Sequence, residues 1–159
     1  MSLLGTGRLE VEITGARAVF VGRIDDACHL DELLRQLPRG DVVLETAGIT
    51  FVNSIGMREW VRLIRALRDR GSVMLEAVSD VLMRQMNLMT EFRGSVRIVS
   101  FHAGYVCPAC GYEASPLVDA VAHGEALRQL RAPPLSCPEC GKPMELGDFP
   151  ERYLTIFGA

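Results

Sequence analysis

Four cysteines and one serine are the residues of this chain whose type and spacing can do chemistry. The cysteines form two copies of one pattern, C-P-A-C-G (Cys107, Cys110) and C-P-E-C-G (Cys137, Cys140), separated by 26 residues. A two-residue gap lets both thiolates of a pair reach one ion from a tight turn. The glycine after the second cysteine lets that turn take a positive φ at low cost. Two such turns complete a tetrahedral thiolate shell, which suits Zn2+. Four protein ligands leave no coordination position open, so the expected ion is structural rather than catalytic. A thioredoxin-like redox pair is the rival reading. It is weakened by the duplication, and because neither pair opens a helix in a βαβ unit. Cys28, beside His29, reads as a small core residue, and neither His29, His102 nor His123 is needed as a ligand.

The serine lies in FVNSIGMREW, residues 51–60, where an apolar strand-like run meets a segment of helical periodicity. Ser54 as a nucleophile would require a G-x-S-x-G elbow, and the chain reads V-N-S-I-G. Only His29 precedes His102 as a general base, so hydrolase chemistry lacks its parts and the chain reads as non-enzymatic. As a cap, Asn53 or Ser54 accepts hydrogen bonds from the first free amides of the helix. As a switch, a hydroxyl at that position stands where an added phosphate, about −2 in charge, meets free N–H groups and the positive end of the helix dipole. Gly56 on the first turn is expected to keep that surface open to a kinase or a partner.

The elements that must position these residues fall into two parts, residues 1–101 and 102–159. With Met1–Leu3 set aside, residues 8–14 and 18–21 read as a hairpin turning at Gly15. A helix capped by Asp25 or Asp26 carries Leu30, Leu33, Leu34 and Leu37, and ends at Pro38 and Gly40. A buried strand at 42–47, a helix at 54–69, a strand at 73–78, a short helix over VLMRQMNLM capped by Ser79 or Asp80, and a strand at 96–101 follow. The order β-β-α-β-α-β-α-β makes this an α/β domain with parallel strands wherever helices connect them. The second part holds seven of the eight prolines and all four paired cysteines. It also carries an expected helix at 117–130 and an apolar strand, RYLTIF, at 152–157. So few apolar residues call for a staple, which the cysteines supply.

Charge is balanced up to Phe101, with 13 Arg against 13 Asp plus Glu. It turns acidic afterwards, with 4 Lys plus Arg against 7 Asp plus Glu. That argues against a phosphate-backbone footprint, so a nucleic-acid partner is disfavoured against a protein. No apolar run is long enough to span a bilayer, and MSLLGTGRLE lacks a signal-peptide pattern, so a cytoplasmic protein without a membrane partner is expected. Arg58, Arg62 and Arg65 line one face of the helix after the junction, as a solvated face or as a basic rim beside Ser54. Leu82, Met83, Met86 and Met89 suit either core packing or an adaptable binding surface, with Met83 and Met86 as the candidate contacts.

The run from Leu44 to Met89 resembles a STAS domain of the anti-sigma factor antagonist type, and the resemblance extends over roughly residues 8–101. Its most specific part is the strand, then a polar pair ending in serine, one residue, glycine, and a helix closing in R-G. The resemblance implies that Ser54 is phosphorylated by a partner serine kinase doubling as an anti-sigma factor. It also implies that the partner docks around Asn53, Ser54, Gly56 and the neighbouring helices. Where that family carries Asp, this chain has Asn53, which keeps a cap but removes a carboxylate. STAS domains also serve as constitutive scaffolds and small-ligand sensors, which is the alternative function. Residues 103–148 resemble a zinc ribbon with a helical insertion. Such modules dock protein or nucleic acid. The sequence is compatible with a homodimer and does not specify one.

Overall fold

Alternation in LEVEIT gives β2 (Leu9–Thr14) one buried face, Leu9, Val11 and Ile13, and one exposed face. The computed structural model describes residues 1–158. In it β2 pairs antiparallel with β3 (Arg17–Ile24) across a two-residue turn at Gly15 and Ala16. Gly15 sits at φ 60°, the left-handed conformation that such a hairpin requires. Residues 2–6, of which the sequence pattern sets Ser2 and Leu3 aside and assigns the rest to no element, form a further strand, β1 (Ser2–Thr6), antiparallel to β2. The 11-residue β4 (Val42–Val52), then β5 (Val73–Glu76) and β6 (Arg97–Ile98), continue the sheet in parallel. The result is one six-stranded mixed sheet in the order β1-β2-β3-β4-β5-β6.

The first helix is shorter than expected. α1 (Asp31–Gln36) starts after Leu30 without a side-chain cap. Asp25 instead accepts the amide of Ala27 at 3.0 Å, which closes the turn before the helix. The buried Cys28 also precedes the helix, and its thiol points at the carbonyl of Arg23, 3.0 Å away. α2 (Ser54–Arg68) lays Trp60, Leu63, Ile64 and Leu67 into the core, and Trp60 meets the edge of Phe20 at a centroid distance of 5.6 Å. α3 (Asp80–Asn87) is capped by Ser79, whose hydroxyl accepts from the Leu82 amide.

The strand expected at 96–101 divides. β6 stays on the main sheet, while β7 (Ser100–His102) pairs with β10 (Leu117–Asp119). The boundary at 101/102 therefore falls inside a strand. Beyond it, β8 (Tyr105–Val106), β9 (Glu113–Ala114), β11 (Leu135–Ser136) and β12 (Pro143–Leu146) make a four-stranded antiparallel sheet in the order β11-β12-β8-β9. The helix expected at 117–130 shrinks to α4 (Gly124–Arg128), because Leu117–Asp119 is held as a strand and the Asp119 carboxylate turns the chain by accepting the Val121 and Ala122 amides.

RYLTIF is not a strand. α5 (Pro150–Tyr153) and a 3-10 turn (Thr155–Phe157) replace it, with Pro150 at the first helical position, where its missing N–H costs nothing. Tyr153, Leu154 and Ile156 are buried with the rest of the core, and the Phe157 ring packs at a tilt against Phe101, with centroids 5.2 Å apart. Among the described residues, no helix is long and apolar enough to cross a membrane.

Candidate metal-ligand cluster and the groove beside Ser54

The two cysteine turns are copies in three dimensions as well as in sequence. In the first, the Cys107 amide donates to the Tyr112 carbonyl and the Gly111 amide to the Cys107 carbonyl, both at 2.8 Å. In the second, Cys137 donates to Lys142 and Gly141 to Cys137, again at 2.8 Å. Gly111 and Gly141 sit at φ 79° and 77°, the backbone a side chain would resist. Each turn joins two short strands, β8 with β9 and β11 with β12, and pairing of β12 with β8 brings the turns face to face.

All four thiols lie within 4.8 Å of one another, with Cys107 and Cys140 at 3.5 Å and Cys110 and Cys137 at 3.7 Å. Crowded thiols cannot share ionisation evenly. The Cys110 amide draws the Cys107 thiol down to about 7. At Cys110 the Tyr112 amide acts the same way, but burial and the neighbouring thiols outweigh it and push that thiol up to about 12. A divalent cation in the middle removes the conflict by favouring all four thiolates together. The donor set and its compactness therefore fit a metal ion. His102 does not join it: its Nδ1 lies 2.8 Å from the Ser115 carbonyl.

Ser54 is the first residue of α2 and is exposed. Asn53 is the cap: its Oδ1 accepts the Gly56 amide and its carbonyl the Met57 amide, at 2.8 and 2.9 Å. Among the described residues, no acceptor meets the amides of Ser54 and Ile55, so the helix end keeps two free donors beside the hydroxyl. Phe51 and Ile55 flank the serine as exposed apolar side chains, and the Arg23 guanidinium stacks on Phe51 at 3.9 Å.

From Ser54 a groove of about 550 Å³ runs between α2 and the end of α3. Met57, Val61, Leu88 and Met89 make its apolar lining, and Arg58, Arg62 and Arg65 contribute charge. Arg62 pairs with Glu59 at 3.0 Å and Arg65 with Glu91. Among the described residues no carboxylate pairs with Arg58.

Arg58 and Arg62 thus stand where the sequence places a partner surface, and three expected contacts change role. Met83 and Met86 are fully buried, because α3 turns that stripe inward. Leu88 and Met89 at its C-terminal end line the groove instead, and Leu88 is 74% exposed. Gly56 is buried rather than open. A Cβ there would lie 2.0 Å from the Ile24 carbonyl oxygen, so glycine is what lets α2 abut the end of β3. Leu88 was not legible as a contact, since its exposure depends on where the chain leaves α3. Compared with models of known protein families and with curated proteins, the chain matches none of them.

Proposed function

We propose that this chain is a non-enzymatic regulatory protein of the STAS type, similar to the anti-sigma factor antagonists, acting in the cytoplasm. In this reading it binds a protein partner of the anti-sigma serine-kinase class through the Ser54 loop and the groove between α2 and α3. One observation carries the reading: an exposed hydroxyl on the first turn of a capped helix, with two amides that meet no acceptor and an Arg58 that meets no carboxylate among the described residues. A phosphate on Ser54 would be met there by the helix dipole and by a guanidinium. It would also place about two negative charges at the mouth of a groove whose apolar lining and arginine rim suit an acidic, apolar-anchored segment of the partner. The four-cysteine module is then a zinc ribbon, and its ion a structural Zn2+ held by Cys107, Cys110, Cys137 and Cys140.

The test is recovery of the chain from its native cells, with partners and the Ser54 phosphorylation state read together by mass spectrometry. Phosphate on Ser54, and loss of partner binding in Ser54→Asp but not in Ser54→Ala, are expected. Equal binding by wild type and Ser54→Asp refutes the switch. A second reading, a constitutive scaffold or small-ligand sensor, is favoured by Asn53, which caps the helix without the carboxylate of the related family, and by the groove's volume. Absence of phosphate on Ser54 with unaltered binding in Ser54→Ala selects it.

A further inference from the structure

We infer that metal occupancy of the four-cysteine cluster sets the conformation of the groove beside Ser54, with α3 and the C-terminal segment as the mechanical link. α3 has two working ends. Its C-terminal end supplies Gln85, Leu88 and Met89 to the Ser54 groove. Its N-terminal end supplies Asp80 and Arg84 to a second cleft, of about 450 Å³, whose other wall is the cysteine module at Tyr105, Val106, Glu113 and Gly147. One eight-residue helix, with the two residues that follow it, therefore borders both the groove and the cleft beside the cysteine module.

The helix is also held from behind. Arg84 donates to the Tyr153 hydroxyl at 3.2 Å and pairs with Asp80 at 3.3 Å. The Asn87 side chain works in two directions: its Nδ2 donates to the Met83 carbonyl at 2.8 Å, and its Oδ1 accepts the Ile156 amide at 2.9 Å and the Thr155 hydroxyl at 3.3 Å. Asn87 thus locks the last turn of α3 to the segment that follows the cysteine module.

That segment is anchored at one end by burial of Tyr153, Leu154 and Ile156 in the core, and at the other end by the module it leaves. β12 begins at Pro143, shortly after Cys140, and the Gly147 amide donates to the Gly104 carbonyl at 2.8 Å, just ahead of Cys107. Between the two cysteine hairpins the strand pairing amounts to Glu145↔Val106 and Leu146↔Tyr105. A contact so short does not hold two hairpins in water by itself. A metal ion bridging one hairpin to the other supplies the missing link, and its loss releases β12, then Gly147, then the hold on Asn87.

The regulatory meaning of this link rests on reading the groove as a docking surface; the link itself does not. Hydrogen exchange read by mass spectrometry on the full chain tests it, comparing the zinc-loaded protein with protein stripped by chelator under reducing conditions. Stripping is expected to speed exchange at least tenfold in Asp80–Asn87 and in residues 149–157, while β2 and β3 keep their protection. Unchanged protection of α3 overturns the inference. So does parallel loss of protection in β2 and β3, which would make the ion a staple of the whole chain. Asn87→Ala in the zinc-loaded protein separates link from staple. It should loosen α3 to the same extent with one zinc still bound per chain, and an α3 that stays protected refutes the role of Asn87. Ser54→Asp leaves these exchange rates unchanged whether or not it abolishes partner binding, so failure of the phosphorylation reading and failure of the link give different results.

Discussion

At the scale of single residues, Gly56 shows how a functional-looking position is fixed by packing. Any side chain there would have its Cβ 2.0 Å from the Ile24 oxygen and 2.4 Å from the Ile24 carbonyl carbon, both backbone atoms that cannot swing aside. Gly56→Ala is therefore expected to destabilise the fold by about 1–3 kcal/mol through overpacking. The urea midpoint should fall at unchanged slope. A variant as stable as wild type would mean that α2 does not abut β3 this closely. Asn53 has the opposite character. Asn53→Asp keeps the acceptor for the Gly56 amide and adds charge at the positive helix end, so stability should hold or rise by about 0.3–1 kcal/mol near neutral pH. That gain should vanish as acid protonates the new carboxyl. The cysteine pairs were legible at this scale because spacing and a following glycine are local properties. The reason for Gly56 was not, since it depends on where a strand thirty residues away happens to end.

At the scale of elements, α3 divides what periodicity can and cannot tell. The residue pattern offers Ser79 or Asp80 as its cap, together with an apolar stripe; Ser79 is the cap in the fold, and the stripe is present. Which way the stripe faces is a tertiary matter, settled here by burial of Leu82, Met83 and Met86 on the sheet side. Met83→Ala or Met86→Ala should therefore cost about 2–5 kcal/mol of stability, as truncations in a closed core do. Leu88→Ala, at an exposed side chain, should change stability by less than about 0.5 kcal/mol. If the groove is the docking surface, the same variant weakens partner binding, measured by titration calorimetry with the partner recovered from cells. Leu88→Ala binding at wild-type strength would remove the α3 side of the groove from the interface. The tail went astray for a related reason. RYLTIF has the apolar content of a strand, yet Pro150 starts a helix, and no main-sheet strand is its registered neighbour.

At the scale of the molecule, composition marks a change of character after Phe101, and the structure carries its core across that line. The buried cluster includes Phe101, Ala103 and Tyr105 as well as Tyr153, Leu154 and Ile156, so α3 is roofed by residues that come last in the chain. Composition cannot show this, because it records where prolines and acids accumulate and not which apolar side chains return. The consequence is testable with the chain's own reporter. Trp60 is its one tryptophan and lies fully buried on the core-facing side of α2, in the part before Phe101. Leu154, between α5 and the 3-10 turn, is 1% exposed. If both belong to one cooperative core, Leu154→Ala lowers the stability reported by Trp60 fluorescence by about 2–5 kcal/mol, the cost of a large-to-small change in a packed interior. The reactivity of the buried Cys107 and Cys137 toward a thiol reagent, followed through the same urea titration, should show the loss at the same midpoint. A Trp60 transition that stays in place while the thiols become reactive at lower urea would mean that the two parts unfold separately, and that the contacts between α3 and the tail contribute nothing to the stability of the main sheet.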